Sequence, residues 1–81
     1  MKISPNKFYW ITMEVEDWKR RNRCSHLKMK RLKENPPTYV VQFFDFESHR
    51  QIEGTLVEEG EDYMLFSIGG DKFYRFEEFR G

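Results

Sequence analysis

KRRNRCSHLKMKRLK, Lys19 to Lys33, carries eight Lys/Arg and no Asp/Glu, and its conformation settles whether the chain is all-β or mixed. Lys, Arg, Leu and Met dominate it, and it has no β-branched run, a composition that helices tolerate well. Asp17 stands where an N-cap would, with a charge that suits a helix N-terminus. Ser25, Met29 and Leu32 recur at roughly helical spacing, with Cys24 and Leu27 nearby. Pro36-Pro37 ends any helix, because neither proline can continue one and each restricts the residue before it. The stretch is therefore expected to be a helix, or else a flexible basic loop, over residues 18–35.

On either side the pattern is that of strands. Residues 8–16 (FYWITMEVE) alternate, with Tyr9, Ile11, Met13 and Val15 on one face and Thr12, Glu14 and Glu16 on the other, as in a half-buried strand. Residues 38–47 (TYVVQFFDFE) are apolar on both faces and read as a central strand. Ser48-His49-Arg50 reads as a turn. Residues 51–58 follow as a strand in which Gly54 marks a bulge or a sharp bend. Residues 63–68 and 72–76 are two more strands, separated by Gly69-Gly70-Asp71. The expected order is β-α-β-β-β-β: a mainly β, α+β domain over 1–81, with the basic segment inserted between the first strand and a four-stranded meander over 38–77. A bent meander of this size closes into a small SH3- or Sm-like barrel, which removes its exposed edges.

Composition narrows the class. Eighty-one residues make one domain with a small core, and 14 aromatic residues exceed what that core can hold, so three or four are expected on the surface. Residues 1–33 hold ten Lys/Arg against three Asp/Glu, a net of +7, and residues 34–81 hold four against eleven, a net of −7. The single cysteine excludes an internal disulfide. No apolar run is long enough for a membrane span, and MKISPNKFYW has no signal-peptide core, so a soluble cytoplasmic protein is expected.

Catalytic chemistry is not evident. Cys24-x-His26 supplies at most two of about four zinc ligands. Gly69-Gly70 sits between strands and does not open a helix, so it is no phosphate cradle. The acids around Glu58–Asp62 lack the order of a calcium loop. The chain is expected not to be an enzyme, and to carry no cofactor and no metal.

Two binding surfaces are candidates. The first is Lys19, Arg20, Arg21, Arg23, Lys28, Lys30, Arg31 and Lys33 with Trp18, and with Tyr39, Phe43 and Phe44 just beyond as a sheet platform: cations neutralise phosphates, and aromatic rings stack on bases. Its partner would be nucleic acid or an acidic patch on a protein of DNA or RNA metabolism. The second is the acidic half, Glu58, Glu59, Glu61, Asp62, Glu77 and Glu78, with Tyr63, Tyr74 and Phe79 as anchors, which suits an inhibitor that occupies a basic groove on a host protein. Opposite charge halves also permit a homo-oligomer held head to tail.

The C-terminal half resembles the YolD-like family of small bacterial and phage proteins. The family pattern is matched by Val41-Gln42-Phe43-Phe44, Ile52-Glu53-Gly54-Thr55-Leu56, Met64-Leu65-Phe66 and Phe76-Glu77-Glu78-Phe79, and its W-x-x-M by Trp10-Ile11-Thr12-Met13. Where the family has Pro-Glu-His soon after that methionine, this chain has Glu16-Asp17-Trp18, and its middle segment is shorter. The resemblance implies a cytosolic Sm-like fold with a link to damage-tolerance polymerases, and no catalytic residues. The expected function is a small regulatory or accessory binding module in bacterial or phage nucleic-acid transactions, with a phage-type inhibitor as the alternative.

Overall fold

The basic stretch is a strand. The structure, a computed structural model, describes residues 1–46 and 48–80. Its elements are β1 (Phe8–Val15), β2 (Trp18–Glu34), β3 (Pro37–Asp45), β4 (Ser48–Glu59), β5 (Tyr63–Gly69) and β6 (Lys72–Glu78). The helix expected over 18–35 is replaced by β2, which spans 17 residues. Local composition favoured a helix; pairing on both sides overrode it. β1 pairs with the first half of β2 (Val15↔Trp18 to Phe8↔Ser25), and β3 pairs mainly with its second half (Lys28↔Gln42 to Glu34↔Pro37). Between the two halves lies a bulge at Ser25–Lys28, where His26 adopts a φ of 55°.

That bulge conceals the strand in the sequence. Asn22 and Cys24 point inward with period two; the extra residue then shifts the phase, and Leu27 becomes the next buried side chain. Asp17 is not a cap. It sits with Glu16 (φ 56°) in the two-residue turn joining Val15 to Trp18. Among the described residues there is no helix, and so none long and apolar enough to cross a membrane.

All six strands are antiparallel and close in sequence order into a barrel, β1 pairing with β6 from Tyr9↔Glu78 to Val15↔Lys72. The interior is filled by side chains. Tyr9, Ile11, Leu27, Val41, Phe66 and Phe76 are all fully buried. Phe43 and Phe66 meet Phe76 edge-on, with ring centroids at 5.5 and 5.9 Å. Met1 and Ile3 pack against this core from outside the sheet, and the Ser4 N–H donates to the Tyr9 hydroxyl at 2.8 Å.

Two expectations about the meander change. Ser48, His49 and Arg50 belong to β4, which begins at once after Asp45 through a turn containing Phe46 (φ 59°); Glu47 lies outside the described residues. β3 is not buried on both faces, because a barrel strand has one face in the core and one outside: Val41 and Phe43 point in, while Gln42 and Phe44 point out. At Gly54, β4 packs closely against β5. A Cβ there would lie 3.1 Å from the Ser67 carbonyl oxygen and 3.1 Å from the Ile68 methyl. The irregularity in β4 itself falls later, between Leu56 and Glu58.

Candidate nucleic-acid interface

Alternation along β2 sorts its cations. With Asn22 and Cys24 buried inside, Lys19, Arg21 and Arg23 project from the outer surface beside β1. The bulge resets the alternation, and Lys28 and Lys30 also fall on the outside, flanking Val40 and Gln42 of β3. One bent strand thus presents five cations in a row. Lys19 pairs with Glu14 at 3.6 Å. Arg21, Arg23, Lys28 and Lys30 form no ion pair among the described residues.

The other members of the expected cluster lie elsewhere. Trp18 and Arg20 share the phase of Asn22 but are exposed, with Arg20 6.0 Å from the Phe46 ring. The Arg31 guanidinium donates to the Tyr39 hydroxyl at 2.7 and 3.2 Å, which holds its pKa above the ordinary arginine value. Lys33 lies in the β2–β3 hairpin opposite Thr38.

Aromatic rings gather where β2 bends. Phe8, Ser25, Phe44 and His49 stand in register across β1, β2, β3 and β4. Phe79 follows β6 and packs against Trp10 (5.0 Å) and Phe8 (6.5 Å). Arg23 lies between these walls, 5.1 Å from the Phe8 centroid and 5.8 Å from that of Phe79. Together with Phe44 and Phe46 they line an open groove of about 510 Å³. Arg21 lies over Trp10 at 4.3 Å. His26 and His49 flank Phe44 at 5.8 and 4.6 Å.

Beneath the groove lies a buried polar cluster. Asp45 is 4 % exposed; one of its oxygens accepts from Asn22 at 3.4 Å and faces Arg50 at 3.9 Å, while Oδ1 has no partner among the described residues. The neighbouring Cys24 thiol is pushed up to about 12, by burial first and then by the Asp45 charge. Cys24 is inside and His26 outside, so the C-x-H pair does not converge, and no group of three or more His, Cys, Asp or Glu is placed to hold a metal among the described residues.

The acidic-aromatic surface is not assembled. Tyr74 is a core residue, packed on Phe43 at 6.5 Å, because its position on β6 points inward. Phe79 belongs to the basic groove. The Tyr63 hydroxyl donates to Glu58 at 2.6 Å, which raises its pKa, and Arg75 covers its ring at 4.3 Å. Glu77 faces Arg75 (3.4 Å), and Glu78 faces Arg80 (3.4 Å) and Lys7 (3.8 Å). Glu58, Glu59, Glu61 and Asp62 cluster around the β4–β5 hairpin; β5 is three strands from β2 in the closed order, on the far side of the barrel.

Sequence reasoning passed over Phe8, Trp10 and Phe46; of the expected platform Tyr39, Phe43 and Phe44, only Phe44 lines the groove, since Phe43 is in the core and Tyr39 packs on Phe66. Phe8 and Trp10 were within its reach, because the alternation that sends Tyr9 and Ile11 inward sends these two outward. Phe46 carried no comparable signal, since the segment it ends is apolar on both faces. No protein-family model, no curated protein and no solved structure matches the chain, so the candidate interface is defined by its own residues alone.

Proposed function

We propose that this chain is a small binding module that holds nucleic acid along the outer face of β2. The observation that carries this is the row Lys19, Arg21, Arg23, Lys28 and Lys30, four of them without a carboxylate partner among the described residues, interrupted by a groove of aromatic rings. Unpaired cations release counterions when they meet phosphates, and this drives affinity without reading sequence. Aromatic faces between the cations favour a ligand that carries bases over a bare polyanion. The acidic β4–β5 hairpin lies across the barrel from the row. A regulatory or accessory place in bacterial or phage nucleic-acid transactions belongs to the same proposal.

The test is fluorescence anisotropy of labelled oligonucleotides against the whole protein at several salt concentrations. Five contacts predict a log–log salt slope of about −3.5 for single strands, or about a hundredfold weaker binding between about 50 and about 200 mM salt. Arg21→Glu with Arg23→Glu is expected to abolish binding. Unchanged affinity in that variant overturns the proposal, and absence of any binding at low salt reassigns the row to an acidic protein partner.

A further inference from the structure

The groove at the bend of β2 points to a narrower ligand. We infer that it accepts an unpaired base, and therefore that the nucleic acid bound is single-stranded; this rests on the function proposed above. Five rings from three parts of the barrel line the groove: Phe8 and Trp10 of β1, Phe44 and Phe46 at the end of β3, and Phe79 after β6. A duplex offers proteins only the edges of its bases, so rings have nothing to stack on. A single strand can turn its bases out onto aromatic and guanidinium planes. Arg23 supplies such a plane inside the groove, standing over both Phe8 and Phe79.

The cations are placed for a backbone that crosses the groove. Lys19 and Arg21 lie on one side of the bend, and Lys28 and Lys30 on the other. Phosphates held at both ends leave the intervening base over the aromatic rings. Two carboxylates stand near one approach: Glu14 and Glu77 share a recess with Lys19, Arg21 and Arg75, paired with Lys19 at 3.6 Å and with Arg75 at 3.4 Å. The side of Lys28 and Lys30 is lined by Met29, Val40 and Gln42.

The experiment compares three labelled ligands of equal phosphate number: an intact single strand, the same strand with abasic positions at its centre, and a blunt duplex. The intact strand is expected to bind at least about tenfold more tightly than either of the others, all three showing a steep salt dependence. Phe8→Ala, at a residue already 51 % exposed, is expected to reduce the preference severalfold and leave the salt slope unchanged. Equal affinity for the three ligands overturns the base-binding inference and leaves the phosphate row standing. No affinity for any of them at low salt overturns both.

Discussion

The guanidinium of Arg21 lies 4.3 Å from the centroid of the Trp10 ring, on a neighbouring strand and one step diagonally along the pair. An exposed stack of this kind contributes about 0.5–1 kcal/mol, enough to hold the arginine over the ring but not to keep it from a phosphate. Trp10 therefore reports on the groove, whereas Trp18 stands at the barrel mouth on the opposite phase of the strands. In Trp18→Phe, which keeps only Trp10, fluorescence is expected to change on addition of an oligonucleotide. In Trp10→Phe, which keeps only Trp18, it should stay nearly constant. The reverse result would place the ligand at the mouth instead.

Affinity and stability should separate cleanly between the two faces of the sheet. Phe43→Ala removes a ring that meets Phe76 inside the barrel and is expected to cost about 3–5 kcal/mol in urea unfolding. Phe8→Ala, outside, is expected to cost about 1 kcal/mol or less while weakening oligonucleotide binding. A large loss of stability at Phe8 would show that the outer rings serve as a second core.

Gly54→Ala tests the close approach of β4 and β5. The added methyl meets backbone on one side, at the Ser67 carbonyl, which cannot swing away as a side chain would. A loss of about 1–3 kcal/mol is expected, the range for overpacking. Retained stability would mean that the two strands separate there without cost.

Cys24 gives a pH signature. Its thiol titrates near 9.0 when unperturbed and near 12 in the folded barrel, so folding favours the protonated form. The stability this contributes is complete below about pH 9 and falls as pH rises towards 12. Stability measured between pH 9 and 11 is expected to decline in the native chain and to decline less in Cys24→Ala. At pH 8 a thiol reagent should label the folded protein only at the rate of its opening, and rapid labelling would contradict the burial.

How far the sequence reveals this barrel depends on where its alternation stays in phase. β1 is unambiguous because eight residues alternate without interruption. β5 and β6 are legible from their glycine turn. β2 is not, because its inward residues before the bulge, Asn22 and Cys24, are weakly apolar and its phase shifts at His26. Helical composition then outweighed a broken period. The same break concealed the candidate interface: treated as a helix, the segment scatters its cations, whereas a bulged strand places Lys19, Arg21, Arg23, Lys28 and Lys30 on one surface. The residues that carry the YolD-like resemblance are mostly core ones, among them Val41, Phe43, Met64, Phe66 and Phe76, so they describe how the meander packs and not what it touches.

The pairing of β1 with β6 also has a kinetic consequence. Each hairpin can form locally, on a scale of about 1–10 μs, but Tyr9 finds Glu78 only after nearly the whole chain has been ordered. Non-local closure of this kind is the slow event in all-β folding, which spans milliseconds to seconds. The groove straddles that closure, with Phe8 and Trp10 on one side of it and Phe79 on the other. A ligand that fills the groove would bridge that closure and act as a clasp, slowing the unzipping of the barrel in proportion to its occupancy.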